Sequence, residues 1–254
     1  MHKNGFEARL AERQILMGFN NCIPHTGVLE ILAPGWDYVW LDGQHGYHDI
    51  NSLHNAILAC KAYNVASLVR VPGHGEAELE RICDLAPDGL LVPMVDSREQ
   101  AREILQHIHF PPVGNRSYGG RRVYDTHGSN MHKDYRSFTL LQIETPTAVD
   151  NADAIASLDG VDGLFVGPDD MKIRMGLTQS DSPFTTPELR ACLERVIAAC
   201  AKHGKVAAIP AIRQADAVAA KEMGFRILVG GADAYYLRTQ NKIQQDAHAA
   251  IRAD

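Results

Sequence analysis

Short apolar runs recur along the chain at a steady interval, and each is followed by a stretch in which apolar positions fall at helical spacing. The runs are "LMGFNN" (16–21), "YVWLD" (38–42), "ASLVR" (66–70), "GLLVPM" (89–94), "LLQIE" (140–144), "GLFVG" (163–167), "VAAIP" (206–210) and "RILVG" (226–230). Between them, segments such as "DINSLHNAILACKAY", "EAELERICDLA", "REQAREILQHI", "TAVDNADAIASL", "PELRACLERVIAACAKHG" and "QADAVAAKEMG" predict helices, several ending on a Gly or Asn suited to a C-cap. Eight strand-helix alternations in this length predict an α/β protein built as a (β/α)8 TIM barrel, one domain over residues 1–254. An open doubly wound sheet would want a glycine-rich turn after its first strand, and "FNNCIPHTG" is not one.

Composition narrows the function classes. The chain has 254 residues, 45% of them hydrophobic, and a formal net charge of -6, so it can bury a large core but offers no basic field for nucleic acid. Glu7 and Glu12 interrupt the N-terminal segment where a secretory signal would need an apolar stretch, and nowhere do about 18 apolar residues run together, so the expectation is a cytoplasmic protein with no membrane partner. The five cysteines (Cys22, Cys60, Cys83, Cys192 and Cys200) include no C-x-x-C pair and are expected to be reduced core thiols.

In a (β/α)8 barrel, chemistry sits at the C-terminal ends of the strands. Those ends carry Asn20 and Asn21 after the first run, Asp42, Gln44 and His45 after the second, Arg70 after the third, Gln142 and Glu144 after the fifth, and Asp169 and Asp170 in "GPDD" after the sixth. Taken singly, each has an ordinary reading. Glu144 before "TPTAVDNA" and Asp170 at "DDMKIRMG" are both placed to cap a helix, and Arg70 before "VP" is placed to pair with a carboxylate. His48 would complete an H-x-x-H pair with His45 but stands just before a helix, where polar residues are routine, and His107 and His109 read as packing residues. The concentration of acids, an imidazole and a guanidinium on neighbouring strands favours an active site.

Together, "LDGQH", the strand-terminal Arg70, "LLQIET" and "GVDGLFVGPDDM" resemble the HpcH/HpaI family of divalent-metal-dependent (class II) pyruvate aldolases, in order and over nearly the whole chain. The resemblance implies a carbon-carbon lyase that reversibly cleaves a 4-hydroxy-2-oxo acid into pyruvate and an aldehyde through a pyruvate enolate. It implies that Glu144 and Asp170 hold Mg²⁺, Mn²⁺ or Co²⁺, Arg70 contacts the keto oxygen, His45 is the general base, Asp84 orients it and Asp42 supports these groups from behind. Gln142 would help to hold pyruvate, whose carboxylate would meet the backbone of Gly167, Pro168 and Asp169. The family also implies a hexamer, a trimer of dimers, with the C-terminal helix exchanged between subunits.

Elementary chemistry supports these residue types. An enolate oxygen needs a Lewis acid and fixed cationic donors; two carboxylates suit an octahedral ion that keeps waters and substrate oxygens; imidazole transfers protons near neutral pH. Two positions depart from the family: Gln44 stands where Glu is frequent, and Asp169 where a small residue precedes the metal acid. A Schiff-base aldolase would need a lysine in the mouth; no strand run ends in Lys, and Lys172 is expected to point outward from a short helix. Oxaloacetate decarboxylation uses the same enolate, and a non-catalytic 2-oxo acid binding barrel would lack a base or ligand, none of which is missing.

The segment 110–138, "FPPVGNRSYGGRRVYDTHGSNMHKDYRSF", is far longer than a barrel connection needs. Its arginines are expected to reach over the pocket, with Arg121 or Arg122 contacting the acceptor end of the substrate.

Overall fold

The apolar runs pair edge to edge in chain order, all parallel, and the eighth closes on the first to complete a barrel. The computed structural model describes residues 5–249 and 251. After α1 (Gly5–Glu12) the strands are β1 (Leu16–Asn21), β2 (Tyr38–Asp42), β3 (Ala66–Arg70), β4 (Gly89–Val92), β5 (Phe138–Ile143), β6 (Gly163–Val166), β7 (Val206–Pro210) and β8 (Ile227–Ala232). The helices between them are α2 (Thr26–Leu32), α3 (Ile50–Ala62), α4 (Glu76–Cys83) and α5 (Arg98–Ile108), then the short α6 (Arg121–His127) and α7 (Met131–Asp134). They continue with α8 (Pro146–Asp150), α9 (Ala152–Ala156), α10 (Pro168–Arg174), α11 (Pro187–Lys202) and α12 (Gln214–Met223), and α13 (Asp233–Ala249) follows β8. The (β/α)8 architecture expected from periodicity is therefore the one observed.

Alternation along the strands sorts the side chains into two cores. Leu16, Tyr38, Trp40, Leu68, Leu91, Leu140, Phe165 and Ile227 fill the barrel interior, while Val39, Leu41, Val69, Leu90, Leu141 and Leu164 pack outward against the helices. The N-terminal segment contributes α1, which the periodicity did not predict. Its Phe6 is fully buried and lies 5.3 Å from the Tyr38 ring and 5.4 Å from that of Phe138, so it seals the N-terminal end of the barrel. Gly18 pairs with Tyr38 in register, and a Cβ there would stand 2.6 Å from the tyrosine ring; glycine is what lets that ring fill the barrel floor.

Apolar filling from below leaves the C-terminal ends for polar groups. Asp42 and Arg70 are register partners on β2 and β3, and Gln142 faces Phe165 across β5 and β6. No helix among the described residues is long and apolar enough to cross a membrane.

Candidate active site

Arg70 and Asp42 form a bidentate pair at the mouth: the guanidinium donates from Nε to Oδ1 at 2.9 Å and from Nη2 to Oδ2 at 2.6 Å. Both are nearly fully buried, and the Arg70 guanidinium lies 4.7 Å above the Trp40 ring. Asp42 Oδ1 also accepts from the backbone amides of Gln44 and His45, each at 3.1 Å. Burial pushes the Asp42 carboxyl up, but the Arg70 hydrogen bonds and charge, with these two amides, outweigh it and hold the group below the usual carboxylate range. Ending β2 in an acid thus fixes the arginine of the next strand and shapes the turn that carries His45, whose side chain is exposed.

Glu144 follows β5 and is buried, 2% exposed. Its Oε1 accepts from the Met94 amide at 2.7 Å and its Oε2 from Gln142 Nε2 at 2.6 Å. The capping alternative fails here, because the N-cap of α8 is Thr145, whose side chain accepts from the Ala148 amide. Asp170 likewise is no cap: Gly167 holds that position on α10 and Asp170 lies in its first turn. Burial pushes the Glu144 carboxyl up to about 7; the Met94 amide opposes this, and the nearby negative charge of Asp170 adds to it. Gly167 packs against the same carboxylate, since a Cβ there would stand 2.5 Å from Glu144 Oε2.

These groups fit a divalent cation. The negative charge of Asp170 adds to the burial that raises the Glu144 carboxyl, a repulsion that a bound cation would relieve. Gln142 Oε1 is buried without a partner, an acceptor that a water or ligand donor would complete. Among the described residues no cluster of three or more His, Cys, Asp or Glu is placed to hold a metal. His48 is occupied otherwise: its Nε2 meets Asn21 Oδ1 at 2.9 Å and its Nδ1 meets Ser52 Oγ at 3.2 Å. Asn21 in turn donates to the fully buried Asp233, which also accepts from the Cys22 and Ile23 amides, a network tying α13 to the β1–α2 turn that sequence reasoning did not foresee.

Several expectations are corrected. Lys172 does not point outward; it is 5% exposed, and its Nζ donates to Asp169 Oδ1 at 3.0 Å and to the Gln179 carbonyl at 3.3 Å. The extra carboxylate of Asp169, with its side chain 77% exposed, is answered by this lysine. In "GPDD" the Gly167 amide is spent on the Ile143 carbonyl and Pro168 has none, so only the first-turn amides of Asp169 and Asp170 remain for an anion. Cys22 is half-buried at the mouth instead of in the core, its Sγ 2.8 Å from Asn20 Oδ1, with burial and then Asp42 pushing its thiol up to about 11. His109 does pack as expected, its Nε2 donating to the Gly160 carbonyl.

Asp84, Arg121 and Arg122 lie apart from the other candidates within the chain. Asp84 caps the C-terminal end of α4, just before β4 begins, and pairs with Arg116 at 2.6 Å. Arg122 Nε donates to the Leu85 carbonyl, and Arg121 pairs with Asp125 on its own helix. The segment 110–138 therefore lies at the N-terminal end of the barrel, because a helix-to-strand connection of a parallel barrel returns to where the next strand starts. Within one chain none of the three meets His45 or Glu144. A cavity of about 880 Å³ opens at that end, lined by His109, Arg116, Arg122 and Tyr135 among others; of the candidate residues only Arg122 borders it.

Sequence comparison agrees with this geometry. The family model described as HpcH/HpaI aldolase/citrate lyase matches residues 23–238. A 4-hydroxy-2-oxovalerate aldolase of Novosphingobium aromaticivorans is 37% identical over 184 residues, 70% of either chain, and a 5-keto-4-deoxy-D-glucarate aldolase of Klebsiella pneumoniae is 33% identical over 254 residues, 96% of either. The crystal structure of an HpcH/HpaI aldolase/citrate lyase family protein from Burkholderia cenocepacia superposes with a TM-score of 0.85 at 26% identity, covering 96% of this chain and 99% of that one. With its closed barrel and its acids gathered at the strand ends, the chain belongs to the HpcH/HpaI aldolase/citrate lyase family.

Proposed function

We propose that this chain is a divalent-metal-dependent aldolase that cleaves a 4-hydroxy-2-oxo acid into pyruvate and an aldehyde, and runs the reverse addition. The observation that carries the reading is Glu144: a buried carboxylate, held by two donors and pushed up to about 7, beside Asp170 on the next strand end. Glu144 and Asp170 would hold the ion, which would supply a Lewis acid for the 2-keto oxygen. Arg70, with Nε and Nη2 committed to Asp42 and its charge felt at Glu144, would stabilise the charge that develops on that oxygen. Gln142 and the Asp169 and Asp170 amides orient the pyruvate carboxylate. His45 takes the proton of the 4-hydroxyl as the C3–C4 bond breaks; the bonding electrons pass to the pyruvate portion as an enolate, which is then protonated at C3.

Asp84 and the 110–138 segment belong, on this reading, to the site of a neighbouring copy in a homo-oligomer, for which the family expectation is a trimer of dimers. Exposed apolar side chains support association: Tyr118 and Tyr124 on that segment, and Tyr235, Leu237 and Ile243 on α13.

The test is exchange of the pyruvate methyl protons in D₂O followed by NMR, with and without chelator, alongside cleavage of 4-hydroxy-2-oxovalerate and 5-keto-4-deoxy-D-glucarate. Metal-dependent exchange and cleavage of a 4-hydroxy-2-oxo acid are expected. Exchange that survives chelation, with a borohydride-trapped adduct on Lys172, would replace this reading by the Schiff-base mechanism. Turnover of oxaloacetate alone would replace it by decarboxylation.

A further inference from the structure

The donor that holds Glu144 comes from an unusual backbone. Met94, just past the end of β4, has φ of 55°, in the left-handed region that an unbranched side chain enters at a penalty of roughly 1 kcal/mol or more. No glycine relieves it, so neighbouring contacts must. They are present on every side. Gln100, in the first turn of α5, donates from Nε2 to the Met94 carbonyl at 3.0 Å and accepts at Oε1 from the Asp96 amide at 2.8 Å, bridging the turn internally. His74, in the β3–α4 loop, donates from Nε2 to the Pro93 carbonyl, and its Nδ1 receives Gln100 Nε2 at 3.0 Å. The Val95 amide donates to the Gln142 carbonyl at 3.2 Å. From the β5 side, Thr145 Oγ1 donates to Asp96 Oδ1 at 2.5 Å and Asn151 Nδ2 to the Asp96 carbonyl at 2.7 Å.

The hydrogen bonds leave little freedom of role. With both Gln100 amide hydrogens committed, to Met94 and to His74, the imidazole must accept at Nδ1 and donate at Nε2, the neutral tautomer. Rotation of Met94 toward φ below zero would turn its N–H away from Glu144 and forfeit the Gln100 bond at the same time. The hydrogen bonds of His74 and Gln100 go to Pro93, Met94, Asp96 and each other, and none goes to Glu144 or Asp170.

We propose that His74 and Gln100 are positioning residues: they hold Met94 in the left-handed conformation and, through its N–H, fix the carboxylate of Glu144 in the orientation that receives the metal. The inference rests on the assignment of Glu144 as a metal ligand. Partners that orient a ligand in this way typically change metal affinity by about 10- to 100-fold when removed.

The experiment uses glycine as the rescue. Gln100→Leu keeps the bulk and removes the amide; Met94→Gly adopts a positive φ without steric penalty. Mn²⁺ affinity of the full-length protein is measured by titration calorimetry, and exchange of the Met94 amide by hydrogen-exchange mass spectrometry. Gln100→Leu is expected to weaken Mn²⁺ binding by about tenfold or more and to speed Met94 exchange, and the double variant Met94→Gly/Gln100→Leu to recover most of the affinity. Unchanged affinity and exchange in Gln100→Leu, or a loss that Met94→Gly does not reverse, would overturn the proposal. Should Gln100→Leu fail to fold, Gln100→Glu, of the same shape but without the donor, takes its place in both measurements. The underlying assignment is checked separately by Glu144→Gln, which must abolish Mn²⁺ binding. If the wild type binds no Mn²⁺, that assignment fails and the clamp is decided on exchange alone, where no acceleration in Gln100→Leu overturns it.

Discussion

Arg70 and Asp42, register partners on neighbouring strands, meet end to end through two parallel hydrogen bonds with both side chains withdrawn from solvent. A planar guanidinium so held is a fixed charge in the barrel mouth. Removing its partner strands that charge: Asp42→Ala is expected to lower stability by about 3–5 kcal/mol in denaturant unfolding. Arg70→Lys keeps a positive charge but not the fork, and pyruvate proton exchange should fall by about 100-fold or more. Stability of Asp42→Ala equal to wild type would show the pair to be solvated in solution.

Metal removal is the second test. Two protein carboxylates with the remaining positions left to water and substrate bind a divalent ion weakly enough for a chelator to strip it. Activity should disappear with EDTA and return with Mg²⁺, Mn²⁺ or Co²⁺, and Glu144→Gln should not be restored by any of the three. Gly167→Ala should behave similarly with the fold intact, because its Cβ would intrude 2.5 Å from Glu144 Oε2.

His45 separates binding from chemistry. Its side chain is exposed, and the donors that hold Glu144 are the Met94 amide and Gln142, so His45→Ala should keep Mn²⁺ and pyruvate affinity while kcat for aldol cleavage drops by roughly 100- to 10,000-fold. Loss of Mn²⁺ binding in this variant would make the histidine a ligand.

His109 predicts how stability follows pH. Burial holds its pKa down from 6.5 to about 4, against the hydrogen bond it makes to the Gly160 carbonyl. The folded value lies below the unfolded one, so the unfolded chain takes up the proton first. The contribution is therefore complete above pH 6.5 and is lost as pH falls toward 4, by on the order of 3 kcal/mol. In urea unfolding at a series of pH values, His109→Gln, which retains a donor for Gly160 but does not titrate, should show a shallower decline than wild type across that window. Parallel curves would place His109 in contact with water.

Arg121 and Arg122 should behave differently from each other. Arg122 donates to the Leu85 carbonyl, so Arg122→Ala is expected to destabilise by about 1 kcal/mol, whereas Arg121, exposed and paired only with Asp125, should be neutral in stability. If the segment serves a neighbouring copy's site, Arg121→Ala should raise KM for succinic semialdehyde and not for propanal. Equal KM changes for both aldehydes would assign the segment to assembly.

Local periodicity carried the barrel. The runs at 16–21, 38–42, 66–70 and 206–210 coincide with β1, β2, β3 and β7, because alternation along a strand and 3.6-residue spacing along a helix are properties of adjacent residues and need no knowledge of the whole. Once the barrel was known, its strand ends offered Asp42, His45, Arg70, Gln142, Glu144, Asp169 and Asp170 among the candidates, since parallel strands deliver all their C-terminal ends to one rim, and the family resemblance chose among them.

What remained depended on three-dimensional neighbours. Asp84, Arg121 and Arg122 lie at the opposite end of the same barrel, and the signal for this was available: each follows a helix and precedes a strand. Lys172 is drawn inward by Asp169 and the Gln179 carbonyl, and Phe6 reaches the barrel floor from a helix with no strong pattern of its own. Met94 reads in the sequence as one more apolar residue after a strand, yet its amide anchors Glu144, fifty positions away in the chain, and Gln100 and His74 hold it there. Sequence pattern decides which residues arrive at the rim, because it sets local backbone geometry; which of them touch, and with what charge, is decided only by packing, because hydrogen bonds and burial depend on atoms brought together from strands far apart in the chain.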